Sequence, residues 1–222
     1  MPNLENGDDF FFVEESDPEK IKDVILHLVS QEIPKKFELN SIRDIQVLSP
    51  MRNGITGVNN LNSELQKLLN PNSNFVESVR YGESIFYIGD KVMQLVNNYD
   101  KNVFNGDIGY IYSVDADNNT LTILFANYEI NEVEYKVSEL DQITLAYAST
   151  IHKAQGSEFQ AVIMPVSTQH YIMLQKNLLY TGITRGKDLV VLIGQKEALE
   201  IAVRNNKAEK RLTNLMNALN SN

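Results

Sequence analysis

Apolar and polar positions follow two different rhythms along the chain. Near the start, Phe10-Phe11-Phe12-Val13 form an apolar run between Asp9 and Glu14, the pattern of a short buried strand. Asp17 then offers a side-chain cap and Pro18 a first helical position, and Ile21, Val24, Ile25 and Leu28 recur at helical spacing. Ile45–Ser49 reads as a second buried strand, stopped by Pro50. A loop with Gly54 and Gly57 leads into another helix, marked by Val58, Leu61, Leu65, Leu68 and Leu69. Strand and helix in alternation predict an α/β layer built on a parallel sheet.

From about Tyr81 the helical rhythm stops. Runs of strand length, 107–114, 120–125 and 132–137, are rich in β-branched and aromatic residues. Asn105-Gly106 and Asp117-Asn118-Asn119 are strong turn signals beside them. The segment predicts a small β-barrel-like module. Beyond it the first texture returns, with helices expected over 147–155, 175–184 and 195–219 and buried strands over 161–166 and 189–193. The parse is one α/β domain made of 1–80 and 142–222, interrupted by a β insert at 81–141.

Composition narrows this picture little. At 222 residues with 43% hydrophobic content, the chain has room for one large domain with an insert. No apolar run approaches the roughly 18 residues that span a bilayer. The acidic start lacks the apolar centre of a signal peptide. There is no cysteine, and the three histidines, His27, His152 and His170, are too scattered to suggest a metal site. A soluble, cytoplasmic protein with no membrane partner is expected. The net charge of −9 excludes a basic protein overall, but the acids concentrate in 1–40 and 80–141. The segment 142–195 is mildly basic, so a phosphate-binding face stays open.

Three clusters carry candidate chemistry, each in a loop beside a strand end, where open α/β sheets bind ligands. Ser49-Pro50-Met51-Arg52-Asn53-Gly54 sets a guanidinium beside glycine-rich backbone, a way to face an anion. Thr150-Ile151-His152-Lys153-Ala154-Gln155-Gly156-Ser157-Glu158-Phe159 packs hydroxyl, imidazole, ammonium, amide and carboxylate groups together before a buried strand. Tyr180-Thr181-Gly182-Ile183-Thr184-Arg185-Gly186-Lys187 closes a helix. There Arg185 either offsets the helix dipole or reaches a nucleotide phosphate from outside its cradle.

In this order the clusters resemble motifs IV, V and VI of superfamily 1 DNA helicases, most closely the RecD-like branch, the exodeoxyribonuclease V alpha-chain family. Gly89-Asp90-Lys91-Val92-Met93-Gln94, Asn97-Asn98-Tyr99-Asp100 and Asn105-Gly106-Asp107-Ile108-Gly109 extend the likeness through the insert. The resemblance implies a RecA-like second motor domain, interrupted by an SH3-like subdomain, of an ATP-dependent helicase moving 5′→3′. It implies that Arg52 and Arg185 serve catalysis as cations on the ATP, with Gly156 and Glu158 on the nucleotide side. By the same resemblance Thr150, His152 and Lys153 face single-stranded DNA. Magnesium would be held by the first motor domain of the same parent chain, because no Gly-x-x-x-x-Gly-Lys-Ser/Thr loop occurs here. The chain alone is therefore expected to be inactive, and a recombination-repair complex is a further expected partner. Gly182 and Gly186 depart from the family's usual alanine, which implies a looser helix end. Two alternatives remain open: a non-catalytic protein- or nucleic-acid-binding module, and the motor fragment of a relaxase-helicase.

Overall fold

The computed structural model describes residues 8–74, 78–126, 130–168 and 175–205. Five parallel strands form the first sheet: β1 (Phe10–Glu14), β2 (Ile45–Ser49), β10 (Ala148–Thr150), β11 (Phe159–Val166) and β12 (Gly186–Gly194). Their order across the sheet is β1-β12-β11-β2-β10. Between β2 and β10 the chain builds β3 (Val79–Tyr81), β4 (Ser84–Phe86), β5 (Lys91–Gln94), β6 (Ile108–Asp115), β7 (Thr120–Ala126), β8 (Ile130–Lys136) and β9 (Ile143–Leu145). Of these, β3 and β4 pair as a hairpin, and the rest form an antiparallel sheet in the order β8-β7-β6-β5-β9. Among the described residues this second sheet is open, with β8 and β9 at its edges.

Near-continuous apolar strands are what a parallel sheet covered on both faces requires. Side chains alternate sides along each strand, so Val47, Ile163, Leu189 and Val191 point to one face while Leu48, Val162, Val190 and Leu192 point to the other. The first face is covered by α1 (Pro18–His27), its continuation through a π-helical turn (Leu28–Glu32) into α2 (Ile33–Phe37), and α3 (Val58–Leu69). The second is covered by α4 (Lys176–Ile183) and α5 (Lys196–Arg204). Asp17 caps α1 by accepting a hydrogen bond from the Glu19 amide at 2.9 Å. The apolar core on the α1–α3 side runs without a break into the insert, taking in Val92, Ile123, Phe125 and Tyr135. The insert and the α/β layer thus share one core.

The structure differs from expectation in one place. The helix expected over 147–155 is the short strand β10 followed by turns over 151–156. Three residues are too few for periodicity to reveal, and alanine at 146, 148 and 154 mimics helical composition. The helix expected over 195–219 appears as α5 to Arg204, and 206–219 lie outside the described residues, as does His170. No described helix is long and apolar enough to cross a membrane.

Lys91, the first residue of β5, is buried under the sheet, where its ammonium donates to the Ile45 carbonyl at 3.2 Å. Burial pushes its pKa down to about 7, against a small opposing pull from Asp44. The unfolded chain therefore holds a proton on Lys91 through a window, from about pH 7 to 10.5, in which the folded chain releases it. Stability should rise with pH across that window. Lys91→Met should remove the rise and stabilise the fold at pH 7 by on the order of 2–3 kcal/mol, after allowance for the lost hydrogen bond. Urea midpoints at pH 7 and pH 10 test this. A variant that is less stable at both pH values would mean the ammonium holds the fold together.

Candidate functional site

The first cluster follows β2. Ser49 Oγ donates to the Thr56 carbonyl at 2.8 Å and pins the loop at both ends. The amides of Val58 and Asn59 donate to the carbonyls of Met51 and Arg52, each at 3.0 Å, which laces the loop onto the first turn of α3. The Arg52 side chain is left exposed. Beside it β10 ends at Thr150, whose carbonyl accepts from the amides of Lys153 and Ala154 at 3.0 and 3.2 Å. Ile151 and Ala154 bury against Leu48, so the turn crosses the sheet face with His152, Gln155 and Gly156 outward.

Arg52, Thr150 and Lys153 line one cleft of about 150 Å³, and Met93 and Leu95 of the insert form its opposite wall. Burial lowers the Lys153 pKa, and the Arg52 charge lowers it further. Among the described residues neither cation has a carboxylate within ion-pair distance. The Ser149 hydroxyl is buried in the cleft wall with no hydrogen-bond partner among the described residues. Two like charges and a spare hydroxyl facing one groove favour an anion there.

The second group stands at the other end of the sheet. Phe159 lies beside Gly186 in the parallel register, so the residues just before them share the starting edge of β11 and β12. Arg185 closes α4 there, donating through Nη1 to the Ser157 carbonyl at 3.1 Å and through Nε to Thr181 at 3.2 Å. Its own carbonyl accepts from the Phe159 amide at 2.8 Å. Glu158 pairs with Lys187 at 3.1 Å in solvent. Gly156 adopts φ +91°, and no atom stands within 4 Å of where a Cβ would project. A Cβ at Gly182 would meet Met164 Sδ at 2.8 Å, so glycine there permits close packing of α4 on β11 rather than a loose end.

Six of the seven candidates therefore fall into two sets. Arg52, Thr150 and Lys153 converge on the cleft, and Gly156, Glu158 and Arg185 gather at the opposite edge, with His152 exposed on the turn between. Arg52 does not converge with Arg185.

The motif clusters gave no sign of a third set. Asn62, Gln66 and Asn70, four residues apart along α3, face inward as a ladder of amides. Asn62 donates to the carbonyls of Leu145 and Ala148 at 3.1 and 2.9 Å and accepts from the Ala148 amide at 2.8 Å. Gln66 and Asn70 donate to the buried Asp90 carboxylate at 2.6 and 2.7 Å. Tyr147 Oη and the Tyr87 amide complete its shell at 2.9 and 2.8 Å. Burial pushes the Asp90 pKa up, and these four donors oppose it. The ladder grips both strands of chain that join insert to sheet, and so fixes the two walls of the cleft. Its signal in sequence was the four-residue spacing of uncharged polar residues, a spacing that a solvated helix face shares.

Comparisons with known proteins agree with this architecture. Residues 61–125 match the family described as the ATP-dependent RecD-like DNA helicase SH3 domain, and 145–193 match the UvrD-like helicase C-terminal domain. The first match begins inside α3, the helix whose amides hold the insert. The ATP-dependent RecD2 DNA helicase of Deinococcus radiodurans is 38% identical over 165 residues, covering 74% of this chain and 22% of the relative. The RecBCD enzyme subunit RecD of Buchnera aphidicola from Acyrthosiphon pisum is 31% identical over 201 residues, covering 84% of this chain and 32% of the relative. The chain thus spans a third or less of the length of these relatives. The Pif1 helicase from Bacteroides, solved in complex with ADP-AlF3 and ssDNA, matches 93% of this chain and 55% of its own. The TM-score is 0.53 at 18% identity, a likeness of fold alone. With two helicase-domain families matched in chain order and RecD relatives aligned over most of its length, the chain is a RecD-like segment, an SH3 domain of that type followed by a UvrD-like helicase C-terminal domain.

Proposed function

We propose that the chain is the second motor domain of an ATP-dependent 5′→3′ DNA helicase, with a nucleotide edge and a strand cleft at opposite ends of one parallel sheet. The division into 1–80 with 142–222 and the insert 81–141 belongs to the same reading. The observation that carries it is the convergence of Arg52 and Lys153, unneutralised, on the cleft between sheet and insert. A phosphate backbone is the polyanion such a groove suits, and Thr150 and His152 lie along the same turn.

At the opposite edge, Arg185, Glu158 and the open backbone of Gly156 fit the phosphate end of a nucleotide held mainly by another domain. The magnesium on that ATP belongs, on the same reading, to the first motor domain with its P-loop. Bound ATP supplies the free energy of the cycle. Arg185 would exchange the Ser157 carbonyl for the γ-phosphate when the first motor domain closes on it. Arg52 we assign to the strand cleft rather than to the nucleotide, because it lines that cleft beside Lys153 and Thr150, away from Arg185. Without a P-loop the chain should be inert alone. The relatives named as RecBCD subunits support a further proposal, that the parent works inside a recombination-repair complex.

Fluorescence anisotropy of labelled oligo-dT against the chain, across a salt series, tests the cleft. Lys153→Ala should weaken binding several-fold at low salt and flatten the log–log salt slope by about 0.7, the loss of one phosphate contact. An unchanged slope would remove Lys153 from the strand path.

A further inference from the structure

The loop joining β5 to β6, residues 95–107, presents an aromatic pair that the fold does not use for its core. Tyr99 is 77% exposed and Phe104 39%, their ring centroids 5.8 Å apart and edge-on at 74°. What sets this pair apart from other exposed rings is that the loop is built to hold it still. Asn98 and Val103 exchange backbone hydrogen bonds at 2.8 and 3.1 Å. The amides of Lys101, Phe104 and Asn105 donate to the side chains of Asn98, Asp107 and Asn97 at 3.1, 2.8 and 3.0 Å. Val103 is buried beneath, and Lys101 is anchored to Glu139 at 2.7 Å with its ammonium over the Tyr135 ring.

The loop also borders the strand cleft. Leu95, at its start, lines the cleft, and Gly106, near its end, lies so close to the motor turn that a Cβ would stand 3.9 Å from the Lys153 carbonyl. The charges on the two sides differ. Arg52 and Lys153 lie on the motor side, while Asp100 and Asp141 share the surface hollow beside Tyr99. A strand entering here is driven to turn its phosphates toward the motor and its bases toward the insert.

We propose that Tyr99, braced edge-on by Phe104, is a stacking platform for one base of a single strand in the cleft. This rests on the strand-cleft reading above and adds to it the face of the ligand that the insert recognises. Every base has a π-face, so the platform holds a strand without selecting sequence. The acidity of the insert is then compatible with nucleic acid, since the platform contacts bases and not phosphates.

The chain contains no tryptophan, so Tyr99→Trp introduces a lone indole at the platform. Oligo-dT should quench its fluorescence, and an abasic strand of the same length should bind with a similar salt slope but leave it unchanged. Tyr99→Ala should lower oligo-dT affinity by about tenfold and leave abasic affinity alone. If Tyr99→Ala binds oligo-dT as tightly as the native chain, or saturating oligo-dT leaves the indole unmoved, the platform is wrong while the cleft stands. If the native chain binds neither strand, the cleft reading falls and the platform with it.

Discussion

Arg185→Ala, placed in a protein that carries both motor domains, is expected to slow ATP hydrolysis by roughly 10³-fold or more. The guanidinium sits at the starting edge of β11 and β12, tied at 3.1 Å to the carbonyl of Ser157, next to Gly156 and Glu158. A cation there is half-buried and already oriented, so it can neutralise charge on a transferring phosphoryl group with little rearrangement. Arg185→Lys should recover little of the loss. A lysine keeps the charge but not the planar fork that reaches Ser157, Thr181 and Thr184 together. DNA affinity should stay within about twofold of native, because the strand cleft is at the other end of the sheet. Turnover within tenfold of native, in a protein shown to bind ATP normally, would dismiss Arg185 as a finger.

The second large effect concerns stability. Asp90→Ala should cost about 3–5 kcal/mol, read as a lowered urea midpoint. The carboxylate is fully buried and accepts from Gln66, Asn70, Tyr147 and the Tyr87 amide, so its removal strands four donors away from water. Asp90→Asn should lose less, since one oxygen still accepts, though its amide nitrogen then faces other donors. A loss below about 1 kcal/mol for the alanine variant would show that water enters and replaces the carboxylate.

Much of the α/β layer was legible in sequence because long apolar strands and helices repeat their pattern. Ala161 to Val166 and Leu189 to Ile193 announce themselves as strands buried on both faces. The turn at Asp117-Asn118-Asn119 announces the β6–β7 hairpin, where Asn119 takes φ 52°. The site was legible only in pieces. Its three motif clusters stand out as polar groups between apolar runs, yet their likeness to one set of motifs hides that Arg52 and Arg185 separate to opposite ends of the sheet. That follows from the parallel strands, since Arg52 comes after the end of β2 and Arg185 before the start of β12. The cleft was invisible for a related reason. Its walls come from residues 52–59, 93–95 and 144–153, and only the closed fold brings them together. The burial of Lys91 and the inward turn of Asn62, Gln66 and Asn70 contradict the usual placing of polar residues, so composition points the wrong way at each.

The amide ladder on α3 has a mechanical meaning. A hinge needs a stretch of chain that can bend, and both connections between sheet and insert are fastened to one helix over a shared core. The insert is therefore fixed to the sheet as one body with it. On the proposed function, stepping along a strand would come from the swing of this whole body against its counterpart, with the groove keeping its shape through the stroke.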